Sequence, residues 1–444
     1  MSANVAVRRP SRKPHILVLG GGYVGMYTAY RLQKLLRRGE ASITIVDQAP
    51  NMTYQPFLPE AAAGSIEPRH VVVPLRRVLR RCDVLTGTVT AIDHSSKKTI
   101  VKPLEGDSLE IDYDILVVAL GSIARTLPIP GLDEVGIGFR SVGEAIYLRN
   151  HVLSRLDFAA TSEDPELRRR ALTFVFIGGG YAGVEAFAEL EDMARYAVRL
   201  YPDLAPEDMR WVLVEATGRI LPEVSTTLSA YTANELTGRG MEVDLNTRVE
   251  SLTGGHVALS NADTFDADTV VWTAGVRANP LVARSGLPVD EKGRLRCAAT
   301  LRVQGIPDAW GAGDCARVPD LSEHDPDATC GPSAQHAVRQ AKQLAENIAA
   351  AVRGGQPKDY VHAYAGSVAS LGLHKGVAEI YGVKLRGFAA WFMHRTYHVS
   401  RMPTLNRKVR VLADWTLSLF FRREVVSLGE IQDPRRSFVN ATKH

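Results

Sequence analysis

The chain has 444 residues, 45% of them hydrophobic and 23% charged, with 4 Cys and a formal net charge of +4. This composition excludes a disordered or low-complexity chain and provides enough apolar material for the cores of two or three domains. Cys82, Cys297, Cys315 and Cys330 form no CxxC pair and no Cys/His cluster, so neither a disulfide scaffold nor a zinc module is encoded.

Residues 1–13 are basic and lack the apolar stretch of a signal peptide; they read as a flexible arm leading into a first strand. No run approaches the roughly 18–20 apolar residues of a spanning helix. With sparse, unpaired thiols, this places the chain in a reducing compartment, on the cytoplasmic side.

The first element is an apolar run followed by glycines and a helix-forming segment, HILVLGGGYVGMYTAYRL at 15–32. Gly20, Gly22 and Gly25 stand in GxGxxG spacing between strand and helix, where the backbone can approach a pyrophosphate at the positive end of the helix. A second run, SITIVD, ends at Asp47, which lies 22 residues after Gly25 and suits a ribose diol. DILVVA at 114–119 reads as another buried strand, with Gly121 just beyond it, and LPIPG at 127–131 reads as a crossing between domains.

The pattern then repeats. Residues 172–190, LTFVFIGGGYAGVEAFAEL, carry Gly178, Gly180 and Gly183 at the same spacing, about 158 positions on, and RWVLVE closes on Glu215. TVVWT at 269–273 is followed by Gly275, and Ala278–Pro280 marks a return crossing. Strands alternating with helices, nearly unbroken in apolar character, argue for an α/β chain with two Rossmann-like domains on parallel sheets. Two dinucleotide sites imply two dinucleotides, with electron transfer between them. A carboxylate at Glu215 favours NADH over NADPH by repelling a 2′-phosphate, with Arg219 nearby to weaken the discrimination. In AWGAGDCA at 309–316, Asp314 between small residues suits the ribityl or phosphate region of a flavin, and the helix opening at Ser333 and Ala334 would aim backbone N–H groups at a flavin ring.

These segments, with LPEAAAGSIEPRHVVVPLR, VVWTAGVRANP, SAQHAVRQAKQLAENI and LGLHKGVAEIYG, carry a resemblance to the type II NADH:quinone oxidoreductases of the two-dinucleotide flavoprotein superfamily, over 15–429. The resemblance implies an FAD domain in two parts, 14–135 and 286–360, around an NADH domain at 136–285, with a membrane-docking, quinone-side region at 361–444. It implies hydride transfer from NADH to FAD, then two electrons to a membrane quinone without proton pumping. Glu185 resembles the family carboxylate close to flavin and nicotinamide; by itself it is a helix acid near the positive end of the dipole. Gln335 matches the first Gln of the AQxAxQ quinone motif, whereas Arg339 occupies the second Gln position and Gln340 stands one residue on, about 100° around the helix. Lys375 resembles a family lysine near the quinone, or is an exposed loop lysine. The CxxxxC of flavin disulfide reductases is absent, and Cys330 reads as filler. The rival readings are a soluble NAD(P)H-dependent flavin reductase acting on a redox protein and a non-catalytic flavin redox sensor.

The tail interleaves Phe388, Trp391, Phe392, Tyr397, Trp415, Phe420 and Phe421 with cations. Val411, Leu412, Trp415 and Leu419 fall at helical spacing, with Arg410, Asp414 and Ser418 opposite. This fits a helix in the headgroup plane of a membrane, peripheral at its cytoplasmic face, or alternatively a homodimer face or plain core packing. No nucleic-acid module accompanies the charge. Residues 361–444 hold 13 Lys and Arg against 5 Asp and Glu, while 14–360 hold 36 against 44. The mild total charge therefore hides an acidic body with basic ends, which suits anionic headgroups.

Overall fold

The computed structural model describes residues 13–362, 366–421 and 423–427. The basic arm expected at 1–13 lies, apart from Lys13, outside the described residues. The chain divides into two compact units, one of residues 1–52, 74–123 and 276–364, the other of 53–73, 124–275 and 365–444. The breaks at 123/124 and 275/276 fall within a few residues of the crossings read at 127–131 and 278–280 and about ten residues before the domain bounds given at 135/136 and 285/286, and the tail clusters with the second unit.

The first unit is built on a seven-stranded sheet in the order Ala309–Gly311, Ile115–Val118, His15–Leu19, Ser42–Asp47, Asp83–Asp93, Lys98–Pro103 and Leu109–Asp112. The first five strands are parallel, and a meander with antiparallel pairing closes the edge. Ile16 to Leu19 are wholly buried, as an all-apolar central strand covered on both faces requires. Helix Tyr23–Leu35 packs on helix Ala334–Val352, where small residues (Gly25, Thr28 and Ala29 on one, Ala337, Ala341 and Ala345 on the other) are buried. The Thr28 hydroxyl donates to the Ala341 carbonyl at 3.4 Å across this seam.

The second unit repeats the plan with a five-stranded parallel sheet, in the order Gly136–Gly138, Thr269–Trp272, Thr173–Ile177, Arg210–Val214 and Glu242–Asp244. One face packs Val175, Ile177, Val212, Val214, Val270 and Trp272 with Val257 and Leu259 from a small antiparallel sheet. The other stacks Phe174 on Trp211 at 4.3 Å, with Phe187 of helix Tyr181–Ala197 set edge-on to Phe176. Ser141 starts helix Val142–Thr161 with a capping box, accepting from the Glu144 N–H while the Glu144 carboxylate accepts from the Ser141 N–H.

The same unit ends in an antiparallel sheet (Gly366–Ser370, Gly376–Ile380, Val383–Arg386) and helices Gly387–Arg401 and Leu405–Leu417. The last helix is turned differently from the expectation. Val411 is buried and Asp414 faces inward, accepting from the Glu67 N–H and pairing with His70, whereas Leu412 is exposed. The outward stripe is Leu405, Val409 and Leu412, continued by Leu419 and Phe420. Among the described residues no helix is long and apolar enough to cross a membrane.

Candidate functional site

Both glycine loops fold as their spacing requires, each within its own unit. Gly20 (φ +104°) and Gly178 (φ +112°) take up left-handed backbone geometry, and each N–H donates to the strand that ends in the acid, Val46 O at 2.8 Å and Val214 O at 2.9 Å. A Cβ on Gly25 would lie 1.7 Å from Gly20 O, and one on Gly183 would lie 2.0 Å from Gly178 O, so helix and loop approach as closely as glycine allows. At Gly22 and Gly180 a Cβ would meet nothing within 4 Å. The middle of each loop is thus open on the side where a pyrophosphate would sit, at the N-terminus of helices Tyr23–Leu35 and Tyr181–Ala197.

The two acids are held in matching ways. Asp47 accepts from the N–H groups of Gly21 (2.6 Å) and Ala49 (2.7 Å), and Glu215 from those of Gly179 and Thr217, both at 2.7 Å. A carboxylate has about four acceptor sites, so each retains two for a ribose diol. Burial raises the Asp47 carboxyl above its ordinary value, opposed by the two N–H donors. Arg219 does not reach toward a ribose phosphate; its guanidinium donates to the carbonyls of Pro222 (2.6 Å) and Val224 (3.4 Å). Gly121 and Gly275, both at positive φ, follow equivalent strands of the two sheets.

In the first unit, Asp314 accepts from Ser122 Oγ at 2.6 Å. Ser333 caps helix Ala334–Val352 by accepting from the His336 N–H at 3.1 Å, so Ala334 sits in its first turn. Gln335 Oε1 lies 3.1 Å from His362 Nε2, and Arg339 donates to the Gln335 carbonyl at 3.2 Å. Gln340 is buried and accepts from the Gly313 N–H at 2.8 Å, which ties the Asp314 loop to the helix. It therefore holds the nucleotide loop, and the second motif position belongs to Arg339. Sequence reasoning passed over a group of metal-type ligands here: Asp320, Cys330 and His336 have ligand atoms within 4.8 Å of one another. Burial pushes the Cys330 thiol up to about 11, consistent with filler.

In the second unit, Glu185 lies within a buried polar cluster. Its Oε1 accepts from the Ser370 N–H at 2.9 Å and lies 3.1 Å from His394 Nε2. Burial opposes protonation of His394, but Glu185, with Glu60 and Glu189 behind it, raises its pKa above the ordinary value. One turn along the helix, Glu189 Oε1 accepts from Ser370 Oγ at 2.6 Å, and its carboxyl is pushed up to about 7 by burial and then by Glu60. Glu60 Oε2 accepts from Arg395 Nη2 (2.8 Å) and Trp415 Nε1 (2.9 Å), and the Arg395 guanidinium lies 4.1 Å and 4.7 Å from the ring centres of Trp391 and Trp415. Lys375 stands outside this cluster, half-exposed and paired with Glu235 at 3.1 Å. Sequence reasoning named Glu185 and missed Glu60, Glu189, His394 and Arg395. The available signal, for Glu189 alone, was its i, i+4 spacing from Glu185 on a helix that carries four acids.

The comparisons with known proteins bear on this geometry. The family model described as pyridine nucleotide-disulphide oxidoreductase matches residues 14–341, and that of the NDH2 C-terminal domain matches 364–424. The type II NADH:quinone oxidoreductase of Staphylococcus epidermidis is 31% identical over 386 residues, 86% of this chain and 93% of that protein. Demethylphylloquinone reductase NdbB of Synechocystis is 30% identical over 410 residues, 91% and 96%. NDH2 from Plasmodium falciparum, solved in complex with NADH, shares the fold at a TM-score of 0.85 and 19% identity, covering 94% of this chain and all of that one. With a match over most of its length and two glycine loops in the same order, the chain belongs to the pyridine nucleotide-disulphide oxidoreductase family and, within it, to the type II NADH:quinone oxidoreductases.

Proposed function

We propose that the protein uses FAD to carry two electrons from NADH to a quinone at a membrane surface. The observation that carries this reading is the pair of matched loops, one in each unit, both open at the middle glycine and both ending in a carboxylate with two acceptor sites unspent. The first loop, with Asp47, Gly121, Asp314 and Ala334, fits FAD. Its glycine N–H groups take the pyrophosphate, Asp47 a ribose diol, and the helix opening at Ala334 faces its positive end to the ring system. FAD held there supplies a two-electron carrier that can take a hydride and return electrons to a quinone.

The second loop, with Gly275, suits NADH by the same physics. Glu215 disfavours a 2′-phosphate, and the engagement of Arg219 with backbone carbonyls supports that preference. The chain's contribution to hydride transfer is orientation. Of the acceptor-side residues Glu185, Gln335, Arg339 and Lys375, Glu185 has the strongest geometric support, because it is buried against a protonatable histidine. Lys375 has the weakest, being committed to Glu235.

The outward apolar residues Phe388, Phe392, Leu405, Val409 and Leu412, flanked by Arg401, Arg407 and Lys408, support peripheral docking on an anionic leaflet, with the cytoplasmic face as the expected side. Deleting the two helices would also strip Glu60 and Glu185 of their partners, so docking is better tested by substituting outward residues.

The decisive experiment is a visible spectrum of the pure protein before and after one equivalent of NADH, followed by a short-chain quinone. A flavin spectrum that bleaches with NADH and returns with quinone is expected; bleaching without return would remove the quinone assignment. Val409→Glu with Phe392→Glu should abolish flotation with anionic vesicles while leaving that spectral cycle intact.

A further inference from the structure

Reducing a quinone with NADH leaves one proton unaccounted for. The hydride brings two electrons and one proton, whereas quinol formation needs two electrons and two protons. The buried cluster of the second unit carries an excess of acid. Glu60, Glu185, Glu189 and the partly exposed Asp192 face three bases, His394, Arg395 and Arg423, and because Arg423 donates to Asp192, full ionisation leaves Glu189 charged and buried without a hydrogen-bonded cation. Such a charge is costly unless a proton neutralises it.

The surrounding groups narrow down where that proton resides. Arg395 is committed to Glu60 and stacked on two indoles, and Arg423 donates to Asp192 at 2.9 Å and to Ser65 at 3.0 Å while standing 3.8 Å from Glu189. Arg149, on the neighbouring helix, donates to the Glu424 carbonyl. Asp414 pairs with His70, and Glu191 points the other way, to Arg195 and Arg239. His398 is kept neutral, its pKa held well below the ordinary value by burial and then by the charge of His394. Glu189 accepts from a hydroxyl, Ser370 Oγ, at 2.6 Å, and its nearest cation, Arg423, stands 3.8 Å away with its hydrogen bonds given to Asp192 and Ser65. His394 Nδ1 is wholly buried and has no hydrogen-bond partner in the structure.

We propose that Glu189 is the proton store of the quinone half-reaction, with Ser370 and the Glu185–His394 pair as its positioning residues. This deepens the proposed function and rests on it. When quinol forms, the Glu189 O–H bond breaks, a quinol O–H bond is made with that proton, and a proton taken up from bulk solvent later restores the carboxyl. Arg423 and protonated His394 stabilise the carboxylate in the interval. A carboxyl that releases its proton at about pH 7 is loaded at slightly acidic pH and empty above it.

The test compares quinone reduction with ferricyanide reduction by the whole protein between slightly acidic and alkaline pH. Ferricyanide takes electrons without protons and serves as the reference. In the wild type the quinone-to-ferricyanide rate ratio should fall as pH rises through about 7. In Glu189→Gln the ratio should be about tenfold lower on the acid side, with the inflection gone, and Glu189→Asp should restore it. An unchanged ratio and inflection in Glu189→Gln would overturn the inference. If Glu189→Gln fails to fold, Ser370→Ala decides: loss of the donor to the carboxylate should move the inflection to higher pH, and an unmoved one overturns the proposal. A wild type that reduces ferricyanide but no quinone at any pH would sink the proposed function instead.

Discussion

The two glycine loops share a backbone, yet the helices that follow them have opposite interiors. Counting 158 positions forward, Tyr27 and Arg31 of the first helix become Glu185 and Glu189 of the second. The first helix buries small and apolar residues against helix Ala334–Val352, and Arg31 meets Glu346 at 2.9 Å with both side chains about 40% exposed. The second buries Glu185, Glu189 and Glu191. The turn that binds a dinucleotide depends on a few local atoms, so duplication preserved it. What lies behind the turn depends on distant partners, and there the copies diverged. The first copy is a packed holder; the second has an ionisable interior.

The largest effect should come from breaking that interior. Arg395→Ala leaves the Glu60 carboxylate buried with only the Trp415 N–H as donor, and should destabilise the protein by about 3–5 kcal/mol, read from the denaturant midpoint and slope. A loss under about 1 kcal/mol would mean that the cluster is hydrated and that Glu60 does not need its partner. Next come the loops themselves. Gly25→Ala drives a Cβ into Gly20 O and should empty the protein of flavin. Gly183→Ala should leave it yellow but weaken NADH binding at least tenfold, about 1.4 kcal/mol, measured by flavin bleaching against NADH concentration. If both variants lost flavin equally, the division of labour between the loops would be wrong.

What could be read from the sequence follows the same line. Both glycine loops and the capped helix at Ser333 were legible because turn and cap are set by neighbours a few residues apart, and the acids at Asp47 and Glu215, 26 and 36 positions from the glycine N–H groups they accept from, because each closes the next strand of a recurring strand–turn–helix–strand unit. The Arg395–Glu60 pair joins residues 335 positions apart, and no local pattern announces it. Helix Leu405–Leu417 was legible as amphipathic, but its rotation was not. Asp414 reads as solvent-facing until His70 and the Glu67 N–H are brought to it. Arg339 was legible as a departure from the motif, whereas the reason Gln340 cannot substitute for the missing glutamine became visible only when Gly313 was found donating to it.

The smallest predicted effect tests whether it is burial, and not charge alone, that separates the two helices. Arg31 and Glu346 make the same kind of bond as Arg395 and Glu60, at nearly the same distance. With both side chains substantially exposed, water competes for each partner and salt screens their attraction, so the pair should contribute roughly 0–1 kcal/mol. Arg31→Ala should therefore shift the unfolding midpoint only slightly, and the shift should shrink further at high salt. Arg395→Ala should keep most of its effect there, because neither ions nor water reach Glu60. If added salt reduced both effects in equal proportion, the interior of the second helix would be as wet as the surface of the first, and a buried proton at Glu189 would have no low-dielectric environment to hold it.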